Sequence, residues 1–255
     1  MVLMLALIMH LLADFYFQTD SMATGKLTKG KQLIKHLLVY GICMIIAVLP
    51  FLSQVPLWTA GAAWVLLAGS HTLIDCVKGK LLKMRCTTGS SAQQRTRAMW
   101  VFFLDQALHL ICVALVLLLI PFDTSYFGYG AIDQVIGSAL FCHIVTVVLL
   151  FLFLLKPSAI TVRLVLGSVQ NDAEDEDPGI EKAGTMIGIL ERLIIAVFAL
   201  CGQPAAIAFV IAAKSLARFK QLENRAFAER YLVGTLTSTL LALVASLGAQ
   251  YFLMQ

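Results

Sequence analysis

Three short stretches of the sequence place a histidine and an aspartate four residues apart: His10 with Asp14 in HLLAD, His71 with Asp75 in HTLID, and Asp105 with His109 in DQALH. On a helix, positions i and i+4 lie one above the other on the same face. Each pair can therefore offer an imidazole nitrogen and a carboxylate oxygen to one ion, as the i, i+4 histidines of HExxH metalloenzymes do. A fourth histidine, His36, opens another apolar segment directly after Lys35. His10, Asp14, His36, His71, Asp75, Asp105 and His109 form the candidate ligand pool, with donors enough for two divalent cations. Mixed imidazole and carboxylate donors suit Zn, Mn or Fe, and ligand type does not choose among them. Asp14, Asp75 and Asp105 are also candidate catalytic groups, as carboxylates that bridge ions or accept a proton.

The elements that must position these groups are apolar helices. Of the 255 residues 60% are hydrophobic and 13% charged, and the mean hydropathy is +0.87, values that belong to an integral membrane protein rather than to soluble domains. Stretches long enough to cross about 30 Å of hydrocarbon fall at residues 1–18, 34–54, 57–77, 99–121, 132–155, 183–200, 203–219 and 232–254. The expected architecture is all-α, a polytopic bundle of about eight transmembrane helices. The first span has neither a basic leading region nor a small-residue cleavage site before Gln18, so it is expected to be retained.

Lysine and arginine set the orientation. Lys26, Lys29, Lys31 and Lys35 fall in the first loop, Lys78 through Arg97 in the third, Lys156, Arg163 and Lys182 in the fifth, and Lys214 through Arg230 in the seventh. The even-numbered loops, around residues 50–58, 121–130 and 201–204, hold none. By the positive-inside rule the odd loops are cytoplasmic and both termini lie on the non-cytoplasmic side. The net charge of +4 is then explained by topology and lipid phosphate, and no nucleic-acid partner is expected. In this orientation all seven His and Asp residues fall in one inner-leaflet slab about 10–15 Å thick, at 1.5 Å per helical residue. An ionisable side chain at such depth costs roughly 2.5–3.5 kcal/mol on insertion scales. Three pairs at a common depth therefore call for a common compensation, which bound metal supplies.

The chain divides into an N-terminal bundle (1–155) carrying the His/Asp cluster, an acidic cytoplasmic linker (156–182) with Asp172, Glu174, Asp175, Glu176 and Asp177, and a C-terminal membrane segment of three helices (183–255). The acidic run reads as a solvated loop. The six cysteines form no CxxC pattern and read as small apolar residues without a disulfide framework. Glu191 and Arg192 lie deep in the sixth span and Lys214 near the inner end of the seventh, where an ion pair from Glu191 to Lys214 or Arg192 is expected. Gln18, two turns beyond His10, is placed to orient a ligand or a water.

HLLADFYFQTD, KHLLVY, HTLIDCVK and FFLDQALHL together resemble a bacterial inner-membrane family, the domain of unknown function numbered 3307. The resemblance covers about the first 120 residues, and LERLI, GQPAAIAFVIAAKSLARF and YLVGT are similar to the C-terminal part of its longer members. It implies a multi-pass protein of the bacterial inner membrane and brings no reaction with it. A looser similarity, to membrane-bound metal-dependent hydrolases, rests on His and Asp near the cytoplasmic ends of short helices.

The expected function is hydrolysis of a phosphate ester or lipid-like ester at the cytoplasmic leaflet. Two ions about 3.5–4 Å apart would activate a shared water, and Lys35, Lys78, Arg95 and Arg97 would hold the substrate phosphate. Two alternatives use the same residues: a divalent-cation or proton transporter, and a membrane scaffold with structural metal. A homo-oligomer is compatible with each. All three require the four N-terminal helices to converge on one polar pocket, expected to open toward the cytoplasm.

Overall fold

In a computed structural model, which describes residues 2–19, 21–22, 30–52, 55–85, 90–120, 138–169 and 178–254, every regular element among the described residues is helical. The described residues contain eight α-helices: α1 (Val2–Leu11), α2 (Gly30–Val48), α3 (Leu57–Arg85), α4 (Ser91–Leu119), α5 (Ser138–Val169), α6 (Pro178–Leu200), α7 (Pro204–Ala217) and α8 (Arg225–Leu253). A π-helical turn, Leu12–Tyr16, continues α1, and 3₁₀ turns at Leu49–Phe51 and Phe219–Glu223 follow α2 and α7. Six helices contain apolar stretches long enough to cross a membrane, namely α2 to α6 and α8. Leu3–Tyr16 and Pro204–Ala217 are apolar but shorter.

The chain forms two compact units, one of Met1–Thr88 with Val101–Leu149 and the other of Gly89–Trp100 with Leu150–Gln255. In the first, α1 packs on α2 and α2 on α3. The helices are arranged polar side in and apolar side out, as a bilayer requires. On α2, His36, Tyr40, Cys43, Met44 and Ala47 are buried at helical spacing, while Ile34, Leu38, Ile42 and Ile45 are exposed. Small residues let the backbones approach: Ala6, Ala13, Ala47, Ala60 and Ala63 are all buried within one core. Gly41 leaves room for the Trp64 indole, whose Nε1–H donates to the Gly41 carbonyl at 2.8 Å.

In the second unit, α6 packs against α7 and α8, around a core of Leu150, Leu154, Ile195, Ala196, Ile207, Ala242 and Ala249. Residues 156–169, expected to begin the linker, instead continue α5 through Pro157. The acidic run lies outside the described residues. Proline has no N–H for the carbonyl four residues back, here Phe153. The Ser158 hydroxyl supplies the missing donor, reaching Phe153 O at 2.8 Å, a repair that polar side chains commonly make in membrane helices.

This repair is testable by a double-mutant cycle. Ser158→Ala should lower thermal stability by about 1 kcal/mol, the usual worth of such a bond. In a Pro157→Ala background, where the backbone N–H returns, the same change should cost far less. Equal costs in both backgrounds, measured by thermal unfolding in detergent, would show that the hydroxyl does not replace the lost donor.

Candidate metal centre

All seven candidate ligands lie in the first unit, brought together from four helices. Asp14 sits in the π-turn, closed by the Phe17 N–H donating to Leu12 O at 2.8 Å. His36 lies near the start of α2, His71 and Asp75 one turn apart on α3, and Asp105 and His109 one turn apart on α4. None is left to lipid. His10 and His36 are 0% exposed, His71 1%, His109 2%, Asp75 5% and Asp105 6%, and the Asp14 side chain 7%.

Four atoms form the centre of the cluster. His36 Nε2 lies 3.1 Å from His71 Nε2, 3.2 Å from Asp75 Oδ2 and 3.5 Å from Asp14 Oδ1. His71 Nε2 lies 3.4 Å from the same Asp14 oxygen and 3.7 Å from the same Asp75 oxygen. A tetrahedral ion with bonds of about 2.0–2.1 Å holds neighbouring donors about 3.3–3.4 Å apart. The three separations among His36, His71 and Asp75 straddle that value, so these three residues fit neighbouring positions around one cation, with Asp14 Oδ1 beside both imidazoles.

A second set adjoins the first through Asp75. Asp75, Asp105 and His109 offer donor atoms all within 4.8 Å of one another. His109 Nδ1 lies 2.8 Å from the Asp105 backbone carbonyl. A carbonyl only accepts, so Nδ1 carries the proton and, in the neutral ring, Nε2 keeps its lone pair. That Nε2 is buried without a hydrogen-bond partner, and so is Asp105 Oδ1. Buried polar atoms without partners are rare, and a cation would satisfy both at once. Three protein donors leave a coordination position for water or substrate, as catalytic zinc sites do, whereas four protein donors close a site.

His10 stands apart from this pattern. Its Nδ1 is 3.3 Å from the Tyr40 hydroxyl and its Nε2 is 3.4 Å from Gln106 Oε1, so both ring nitrogens meet neutral side chains. Its distance to Asp14 is 4.0 Å, longer than that from Asp14 to His36 or His71. The π-turn explains the change: an extra residue in the turn rotates Asp14 away from the α-helical i+4 position, toward α2 and α3. His10 still groups with Asp14 and His71 within 4.8 Å.

Tyr40 and Gln106 escaped the sequence reading. Tyr40 is buried, its ring stacked on His71 with centroids 3.5 Å apart and planes 12° from parallel. Its place four residues after His36, on the same helical face, was the available signal. Gln106 also donates through Nε2 to Asp105 Oδ2 at 3.3 Å, and only its adjacency to Asp105 pointed to it. Gln18, expected to share the His10 face, lies beyond the helical segment, which ends at Tyr16.

The four expected phosphate-holding residues separate. Lys78 is half-buried and donates to Asp105 Oδ2 at 2.6 Å, touching the cluster directly. Lys35 is exposed on α2 beside buried His36. Arg95 and Arg97 belong to the second unit, where Arg95 Nε donates to the Gly167 carbonyl at 2.8 Å and Arg97 is exposed. Tyr40, Gln106 and Lys78 contact the cluster at His10 and Asp105. A cavity lined by Ile45, Leu49, Leu57 and Trp64 lies toward the opposite ends of α2 and α3, is apolar, and includes none of the seven residues.

No curated protein and no solved structure matches the chain. Residues 2–129, which carry the whole His/Asp cluster and make up just over half of the sequence, match the model of the family described as protein of unknown function DUF3307, and the chain belongs to that family.

Proposed function

We propose that the protein is a membrane-embedded, metal-dependent hydrolase that acts on a phosphate ester or lipid-like ester at the cytoplasmic leaflet of a bacterial inner membrane. The observation that carries this reading is the pair of adjoining donor groups that share Asp75, His36 with His71 and Asp75, and Asp75 with Asp105 and His109. The first group, with Asp14 beside both of its histidines, would hold one ion and the second group another, with Zn, Mn or Fe as candidates. A bound metal would supply Lewis-acid chemistry there, activating a water for attack on the ester and offsetting charge on the leaving oxygen. Asp105 and Asp75 are the carboxylates that would take the proton from that water and return it to the leaving oxygen. Lys78, already against Asp105, is the cation placed to meet a substrate oxygen.

The distribution of Lys and Arg supports the orientation. With Leu3–Tyr16 and Pro204–Ala217 counted beside the six longer helices, eight crossings put both termini outside and the cluster in the inner leaflet. A carrier would need a route to both faces, and the cluster runs from His36 near the lysine-rich start of α2 to His71 and Asp105 at the middle of α3 and α4.

Two measurements test the proposal. Full-length protein stripped of metal and reloaded with Zn, Mn or Fe should bind close to two equivalents. His109→Ala and His71→Ala should each lose one of them and Asp75→Ala, at the shared ligand, should lose both, while the fold is followed by circular dichroism. Tyr40→Phe keeps the stacked ring but removes the hydroxyl, and should weaken binding by about 10- to 100-fold, as loss of supporting contacts around metal ligands does. Wild-type binding of less than one equivalent would end the metal reading.

Hydrolysis is tested separately, with chromogenic phosphomonoesters, phosphodiesters and carboxylic esters presented in mixed micelles. Turnover should vanish on chelation, return on metal addition, and fall by at least about 100-fold in Asp105→Asn, on the scale of losing a catalytic electrostatic group. Two equivalents of tightly held metal with no turnover of any ester class would reject catalysis. Metal-driven uptake into proteoliposomes would then favour transport.

A further inference from the structure

The second unit contains a buried charge that the first unit's chemistry does not use. Arg192 on α6 is 2% exposed. Its Nε donates to Leu154 O at 2.9 Å, the carbonyl next to the one freed by Pro157, and its Nη1 donates to Ser238 Oγ on α8 at 3.2 Å. Its Nη2 is buried and has no hydrogen-bond partner. The adjacent carboxylate, Glu191, is engaged by Lys214 at 2.5 Å, and among the described residues Arg192 makes no ion pair. One turn from Ser238 on the same face of α8, the Thr235 hydroxyl is likewise buried and unpartnered. Glu191 bears on the charge of the guanidinium but is hydrogen-bonded to Lys214, so among the described residues no carboxylate accepts from Nη2, and a guanidinium in a membrane helix is costly without an anionic acceptor.

The position of the guanidinium says where its partner comes from. Arg192 Nη1 stands 3.4 Å from the place a Cβ on Gly188 would occupy, so the side chain folds back one turn toward the start of α6, the usual direction for a helical side chain. That level is five residues past Ala183, where the apolar stretch of α6 begins, or about 8 Å into the hydrocarbon at 1.5 Å per residue. The guanidinium therefore lies between the start of the apolar stretch and the bilayer centre. A phosphate, with several oxygens in a tetrahedral array, can accept from a guanidinium and from hydroxyls of another helix at once.

We infer that Arg192, Thr235 and Ser238 form a phosphate-binding site in the C-terminal unit, occupied either by an anionic lipid headgroup or by a free phosphate. Binding places a phosphate oxygen against Arg192 Nη2 and Thr235 Oγ1, and so supplies both missing hydrogen bonds and the counter-charge.

The test uses the full-length protein in phosphatidylcholine nanodiscs, titrated in one arm with inorganic phosphate and in the other with phosphatidylglycerol. Native mass spectrometry counts the bound species, and thermal unfolding follows stability. One equivalent should bind and raise the melting temperature in at least one arm, and the arm that responds identifies the source. Thr235→Val removes a hydroxyl that makes no bond within the chain, so it should leave the melting temperature without ligand unchanged and weaken binding about ten-fold, the effect of one charge-assisted hydrogen bond. Arg192→Lys should abolish saturable binding. The inference is overturned if neither phosphate source binds the wild type, or if Thr235→Val binds like the wild type.

Discussion

The N-terminal unit is organised around the mutual approach of four atoms, Asp14 Oδ1, His36 Nε2, His71 Nε2 and Asp75 Oδ2, at separations of 3.1–3.7 Å. Hydrocarbon offers no solvent to a carboxylate, so each acid in a span needs a partner from another helix or an ion. Placing those partners on α1, α2 and α3 makes the polar cluster a fixed point about which the helices must cross. Apolar packing then fills in around it with small residues such as Ala6, Ala13 and Ala63. In lipid, contact among apolar side chains discriminates weakly between helix arrangements, because the tails are as apolar as leucine. A polar cluster discriminates strongly, since any rotation of one helix leaves a charged group unpaired.

Much of this was legible in the sequence, because the signals rest on strict rules. The i, i+4 spacing placed His71 with Asp75 and Asp105 with His109 on single faces, and the asymmetry of Lys and Arg put all three pairs at one depth. Both readings depend only on helix geometry and charge. Where they failed, local backbone chemistry intervened. Nothing in LADFY announces a π-turn, yet that turn takes Asp14 from His10 and gives it to His36 and His71. Pro157 looked like a helix end, but Ser158 one position later keeps α5 intact by answering the freed carbonyl. Tyr40 and Gln106 were missed because uncharged residues in apolar spans read as filler until their neighbours are known.

The π-turn also bears on function. A single-turn π insertion gives up regular α-helical hydrogen bonding and persists only where something compensates. Here it delivers a carboxylate to a site that an α-helical residue 14 would not reach, at the cost of loosening the His10 to Asp14 pair to 4.0 Å. His10 is consequently held by Tyr40 and Gln106, neutral groups that fix the ring without fixing its charge. The ring is thus oriented beside the ligand set by neighbours on α2 and α4, with Asp14 and His71 still in its donor group.

The two units meet the same constraint by different means. In the first, opposite and neutral donors converge until an ion can replace water altogether. In the second, Glu191 finds Lys214, while Arg192 is held by a backbone carbonyl and a serine hydroxyl that carry no charge. Neutral acceptors satisfy the geometry of a guanidinium, and Glu191, which bears on its charge, accepts its hydrogen bond from Lys214. A purely structural bridge to Leu154 O and Ser238 could be made by a neutral donor such as glutamine. Arginine at position 192 offers in addition a donor that no carboxylate among the described residues takes up, which suits the anion inferred for this site.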